Sequence, residues 1–452
     1  LLRINPFEFP AEIHVLEHVD RLTEIFNACW PMYAAMPAVL KDAIECCYQN
    51  AGWDLRRSVN TRGTFPTLFD LMDVLPDIIQ KSHYSNEVQS NYVGALCTRV
   101  NSLTNGIYGS VFCAEDALSD AELFDRNVIV DLSRVSSMET KSLLMGILVM
   151  KLQEYRMCSS GMNSRLRHVT VLEEAHNLLR RTAAEQSQES ANLQGKSVEM
   201  LANAIAEMRT YGEGFIIADQ APGLLDASVI RNTNTKIILR LPDEEDRKLV
   251  GASASLKEEQ INELAKLELG VAAVYQNEWP EAVLCKIEEY PEVQARYHKS
   301  ETYETVINTE FIFQKIREGK PIQLNGKREF EQFARWLNRY EGVLGVECCQ
   351  ALHKAAEGQP IDKSSTERIV KNFFGGIDGE KCVRAYLRAL KDDPCRKVWY
   401  RLENQYGLEP ETAKWVLHQA VTTFVKECPN RKFAENLSES FKNHETKEEK
   451  MV

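Results

Sequence analysis

Several things are missing from this sequence, and each absence narrows its class. Its 12 cysteines include no CxxC pair and no regular spacing. Two pairs, Cys46-Cys47 and Cys348-Cys349, are adjacent, and adjacent residues rarely bridge each other. A disulfide framework is therefore excluded, and a reduced, cytoplasmic protein is the simplest reading. The nine histidines do not cluster with the cysteines, which argues against a zinc site. No apolar run approaches the roughly 18 residues of a membrane span. The longest, Leu143 to Leu152, contains Gly146 and Lys151 and reads as a buried helix. A secretory leader is also lacking. There is no excess of positive charge either, since the net charge is -12. A protein that coats DNA is usually basic, because phosphate neutralisation dominates its affinity. Nucleic-acid contact here must therefore be local, such as a ring of loops in a pore. Finally, the chain has no initiator Met and opens inside an apolar run, Leu1-Leu2-Arg3-Ile4. The expectation is that residues precede it.

What is present describes a globular protein of 452 residues, enough for roughly two to three domains. Residues 1–10 read as a strand and its turn, closed by Pro6 and Pro10. From 15 to 125 the pattern is helical, as in Pro37 to Tyr48 and in Thr67 to Ile79, where Thr67 is the expected cap with Asp70 three residues on. Strand patterns then recur at Val128 to Leu132, Val169 to Leu172, Phe215 to Ala218 and Lys236 to Leu239. Helical segments at 138–156, 197–211 and 243–251 separate them, which implies a parallel, doubly wound α/β sheet carrying a helical insertion. Gly270 to Gln276 and Ala282 to Ile287 suggest a closing hairpin. Arg181 to Lys196 is polar and reads as a mobile loop. After 300, the segments 326–340, 344–356, 364–374, 379–391, 395–405 and 410–426 predict an all-helical C-terminal domain over 300–428. A charged, frayed tail covers 429–452.

The chemistry concentrates at Val169-Thr170-Val171-Leu172-Glu173-Glu174. A buried strand that ends in paired carboxylates can hold Mg²⁺ with Glu173 and orient or deprotonate a water with Glu174, the hydrolytic half of an ATP site. The same pair would also suit a solvated helix start. Gly214 to Gln220 is a second strand ending in a polar pair. On a parallel sheet its end would set Gln220 beside Glu174, able to sense a γ-phosphate, although Gln220 alone could be a turn residue. Arg209 closes a helix. There it suits the helix dipole or serves as an arginine finger toward a neighbouring subunit. Gln194-Gly195-Lys196-Ser197 contains Gly-Lys-Ser, but Ser190 stands where a phosphate loop needs glycine, and no strand precedes it.

Together these residues resemble the HerA-type helicases and translocases of the HerA/FtsK class of hexameric ATPases, over roughly 1–290. Glu173 to Leu178 is similar to their strand-end motif, Glu207 to Gly212 to their E-G-R-K-[YF]-G segment, and Asp219 to Pro222 to their S-Q-R-P. Asn234 to Leu241, with Glu244 and Asp246, resembles N-T-K-I-I-x-R-L and its acidic turn. Val130 to Ser133 resembles the central strand. Asn5-Pro6-Phe7-Glu8 stands where those proteins carry D-x-x-G-E, Met208 replaces a Gly, and Ala221 an Arg.

The resemblance implies a RecA-like core, begun at 1–14, interrupted by the insertion at 15–125 and resumed at 126–295. It implies ATP and Mg²⁺ as cofactors. Glu174, Gln220 and Arg209 would be catalytic, with Glu173, Arg240 and Asn5 on the nucleotide. It also implies a homo-hexamer acting on double-stranded DNA with a nuclease or other effector, as in prokaryotic antiphage defence, and no membrane. Arg180, Arg181 and Lys196 are the pore-loop candidates for DNA. The phosphate loop would lie before Leu1. The alternatives are a conjugation or packaging pump of the same superfamily, or a scaffold that keeps the fold without the catalysis.

Overall fold

The computed structural model describes residues 2–33, 35–60, 64–114, 117–181, 188–289, 307–374, 398 and 401–427. The chain divides into two units. One gathers Leu1–Glu8, Ala43–Leu118 and the described residues after 300; the other gathers Phe9–Asp42 and Ser119–Lys299. Residues 43–118 thus cluster with the C-terminal helices, while 9–42 cluster with the strand-bearing segment.

The first unit is helical apart from a two-strand ladder, β1 (Trp53–Asp54) against β2 (Val59–Asn60). Thr67 precedes the helix Leu68–Lys81, and the Asp70 carboxylate accepts from the Thr67 main-chain N at 2.8 Å. The expected cap is therefore present. Helices Lys327–Leu344, Val346–Ala356, Lys363–Phe373 and Pro410–Glu427 match the sequence pattern, and Thr309–Arg317 adds one that it did not mark. Their apolar faces meet around Phe373, which touches Trp336, Tyr340 and Phe313. The expected helix 379–391 and the tail 429–452 lie outside the described residues. Within 395–405, the described residues include a π-helical turn, Arg401–Gln405.

Residues 2–10 form no strand. Pro6 and Phe7 make a turn, in which Asn5 accepts from the Phe7 main-chain N at 3.0 Å and donates to the Pro66 carbonyl at 2.9 Å. Buried at 1 % exposure, the Asn5 amide is engaged on both sides by protein.

The second unit holds the remaining strands. β3 (His168–Glu173) and β4 (Glu213–Ala218) pair in parallel, with Glu173 opposite Ala218. β5 (Thr235–Ile238), β6 (Val271–Gln276) and β7 (Val283–Lys286) form a separate antiparallel sheet, order β5-β6-β7, which includes the expected hairpin. The single parallel sheet read from the sequence is therefore realised only at β3–β4. Val128 to Leu132 is not a strand: it has no ladder partner, and Ile129 is 94 % exposed. A strand needs a partner for its N–H and C=O groups, and β-propensity alone does not supply one.

The helix Met138–Ser159 is buried on nearly every side, as its apolar run predicts. It packs on Val15–Cys29, which packs in turn on Gln188–Glu207. Three charged residues of Met138–Ser159 are buried and each has a partner. Lys151 faces Asp120 at 3.3 Å, Glu154 meets His18 at 3.0 Å and Arg21 at 3.3 Å, and Arg156 meets Glu213 at 2.9 Å. Burial alone would raise the Glu154 pKa, but His18 and the Arg21 and Lys151 cations outweigh it and hold the carboxyl below its ordinary value. A lowered folded pKa contributes stability above the unfolded carboxylate pKa, and that stability is lost as pH falls through the lowered value. Chemical unfolding across the acid range should show this loss in the parent protein and a flatter acid limb in Glu154→Gln. Parallel acid limbs in the two proteins would refute the assignment. Among the described residues no helix is long and apolar enough to cross a membrane.

Candidate nucleotide-hydrolysis site

β3 forms because Val169, Thr170 and Val171 favour extended backbone. It ends abruptly. Glu174 takes a left-handed conformation, φ 49° and ψ 50°, before the short turn Ala175–Asn177. A non-glycine residue held there stores on the order of 1–3 kcal/mol, and such strain tends to mark functional turns. The turn is held from both sides. The Asn177 main-chain N donates to the Glu174 carbonyl at 2.9 Å. The Asp219 carboxylate, at the end of β4, accepts from His176 N at 2.9 Å, from Ala221 N at 2.9 Å, and meets His176 Nδ1 at 2.9 Å. Its side chain is 3 % exposed. One buried carboxylate thus ties together the two strand-end turns.

Glu173 and Glu174 are exposed at the carboxyl end of the parallel pair, and neither side chain is engaged by another described residue. Gln220, also exposed, follows Asp219 on the turn that ends the neighbouring strand β4. Two exposed carboxylates on a strained turn suit a divalent ion and a water. Among the described residues no glycine-rich loop accompanies them. Gly195-Lys196-Ser197 lies inside the helix Gln188–Glu207. There Gln194 donates to the Ala28 carbonyl at 3.0 Å and the Ser197 hydroxyl to Glu24 at 2.6 Å. Helical main-chain N–H groups are spent on the helix itself and cannot cradle phosphate.

The other expected site residues fall elsewhere. Arg209 is exposed in the 3₁₀ turn Met208–Tyr211, before β4 begins. The whole of β4 separates it from the Glu174 turn, roughly 20 Å at about 3.3 Å per residue. Within one chain it does not reach that turn. Arg240 follows β5 in the antiparallel sheet and is exposed. Arg180 bridges Leu225, and Arg181 N donates to the Leu224 carbonyl at 2.8 Å. Lys196 is on a helix that starts at Gln188, so the loop expected over 181–196 is helical in its second part. Residues 182–187 lie outside the described residues.

Asp219 and His176 stand inside the sequence motifs with no role of their own evident there. Their signal was position: Asp219 lies one residue and His176 three residues beyond a strand end, where side chains commonly bond the chain's own turns. Asp246 is a similar case. Its carboxylate accepts from Gly223 N at 2.7 Å, and a Cβ at Gly223 would stand 2.5 Å from that oxygen.

Known proteins resemble parts of this chain. A probable DNA double-strand break repair helicase HerA of Methanocaldococcus jannaschii is 36 % identical over 84 residues, 18 % of this chain and 17 % of that protein. The DNA double-strand break repair helicase HerA of Sulfolobus acidocaldarius is 32 % identical over 123 residues, 27 % and 23 % of the two chains. A probable helicase of Methanocaldococcus jannaschii is 32 % identical over 100 residues, 22 % and 19 %. The matches thus span about a fifth of these relatives. The solved structure of VirB4 of Thermoanaerobacter pseudethanolicus overlays 64 % of this chain and 74 % of its own at TM-score 0.48 and 18 % identity. No family model matches the chain. A stretch of this chain is thus similar in sequence to HerA-type helicases.

Proposed function

We propose that this chain is a subunit of an ATP-hydrolysing, HerA-like DNA translocase or helicase that works as a hexamer on double-stranded DNA, with a nuclease or other effector, in antiphage defence. The observation that carries this reading is the exposed Glu173–Glu174 pair on a left-handed turn, clamped through Asp219 to the turn bearing Gln220. Its relatives, by name helicases, support the same class.

In this reading Glu173 holds Mg²⁺, Glu174 orients and deprotonates the attacking water, and Gln220 senses the γ-phosphate. Arg209 acts on the nucleotide of a neighbouring copy, and Arg240 joins the nucleotide contacts. Mg²⁺ when bound neutralises charge developing on the phosphate oxygens. Arg180, Arg181 and Lys196 are proposed DNA contacts, and Asn5 a residue of the nucleotide side, although its amide is engaged by protein. Full-length protein should hydrolyse ATP faster when duplex DNA is added. Hydrolysis indifferent to DNA would refute the translocase reading, and DNA binding without any hydrolysis would favour a scaffold.

A further inference from the structure

The turn that carries Gln220 is fastened by two carboxylates from different elements. The first is Asp219, at the end of β4, which accepts from Ala221 N at 2.9 Å. Past Ala221 the chain makes one 3₁₀ turn, Pro222–Leu224, in which Leu224 N donates to the Ala221 carbonyl at 2.9 Å and Leu225 N to the Pro222 carbonyl at 3.1 Å. A helical turn leaves its first N–H groups without a partner of its own. Pro222 has no N–H to satisfy. Gly223 has one, and the second carboxylate, Asp246, accepts from it at 2.7 Å.

Asp246 stands in the first turn of the helix Glu244–Ser253, which follows β5. Its main-chain N donates to the capping Asp243 carboxylate at 2.9 Å. An acid three residues after a cap commonly turns back to the N–H of that cap. The Asp246 carboxylate bonds Gly223 instead, 23 residues away in sequence. A charged acceptor makes such a bond roughly twice as strong as a neutral one. The approach also dictates the residue it meets. A Cβ at Gly223 would stand 2.5 Å from Asp246 Oδ1. The φ of Gly223 is not positive, so alanine would suit its backbone, and the clash comes from the carboxylate.

We infer that Asp246 is a positioning residue for Gln220. Asp219 and Asp246 take the two N–H groups that flank Pro222, whose ring fixes its own φ. The main chain directly after Gln220 is thereby held, and the amide side chain leaves from a fixed base. Without Asp246 the far half of that support is gone. A misplacement of about 1 Å at a group that orients a reactant can cost about 10²-fold in rate. Asp246 acts through the main chain and needs no contact with nucleotide. The inference rests on the proposed function for the role of Gln220, whereas the tie to Gly223 can be tested apart from it.

ATP turnover by the full-length protein, with kcat and KM read separately, decides the role. Asp246→Ala should lower kcat by about tenfold or more and leave KM within about threefold, because orientation is lost and binding is not. Asp246→Asn keeps an acceptor oxygen and should return to within about threefold of the parent. Gly223→Ala should lower kcat as Asp246→Ala does. In a Gln220→Ala background, Asp246→Ala should cost little more, since both remove one function. Losses that multiply in that pair overturn the inference, and so does an Asp246→Ala kcat within about twofold of the parent. Should Asp246→Ala lose its circular dichroism, Gly223→Ala takes its place in the pair. Amide hydrogen exchange then judges the tie without turnover: the Gly223 N–H should exchange faster once Asp246 no longer accepts from it. Unchanged exchange overturns the inference. Turnover at the parent rate by Gln220→Ala refutes the proposed role of Gln220 and leaves the exchange result to judge the tie.

Discussion

A Glu174→Gln exchange in the full-length protein should lower ATP turnover by roughly 10²–10⁴-fold, the usual worth of a positioned general base, while nucleotide still binds. The exchange keeps the side chain's length and volume. The Glu174 main chain keeps its bond from Asn177, and Asp219 still holds His176 and Ala221, so the turn survives. What disappears is the carboxylate proposed to take the proton of water. Titration with a fluorescent ATP analogue, run beside a phosphate-release assay, separates the two properties. Turnover within twofold of the parent would remove Glu174 from the reaction. Loss of nucleotide binding together with turnover would make its role structural.

Glu213→Ala should cost the fold about 3–5 kcal/mol, the range for breaking a buried pair and leaving its partner charged. Glu213 is 1 % exposed and accepts from Arg156 Nε at 2.9 Å, from Thr170 Oγ1 at 2.7 Å, and meets His168 Nδ1 at 2.7 Å. Arg156, itself 3 % exposed, would retain Asp125, the Phe124 carbonyl and the face of the Tyr155 ring. Urea unfolding should show a lower midpoint at unchanged slope. Replacing both partners, Glu213→Leu with Arg156→Met, should recover much of the loss, because the unpaired charge goes too. A single variant as stable as the parent would mean that water already serves Arg156.

Local pattern made the site's backbone readable. Val169 to Leu172 and Phe215 to Ala218 are short apolar runs ending in polar residues, and both became strands of one parallel pair. The helix Met138–Ser159 was legible for the same reason. Pairing was not, because it depends on residues far away in sequence. Lys236 to Leu239 has the same appearance as Val169 to Leu172, yet β5 joins an antiparallel sheet. Val128 to Leu132 has strand composition and no partner. The polar stretch before Lys196 reads as a loop because few of its residues are apolar, yet its second part is helical. Its helix is joined near that stretch by polar contacts, Gln194 to Ala28 and Ser197 to Glu24, and its buried apolar period, Val198, Leu201, Ala202 and Ile205, begins only after Lys196. The carboxylates could be found by position alone, whereas the role of Asp219 emerged only when both strand ends stood side by side.

The single carboxylate of Asp219 also bears on how the site moves. The His176 and Ala221 amide hydrogens end on the same group. If either turn opened alone, a buried anion would lose part of its solvation, at a cost that rises steeply away from water. The turns of Glu174 and Gln220 therefore open and close as one cooperative element. Any displacement imposed on one reaches the other without a lever arm between them.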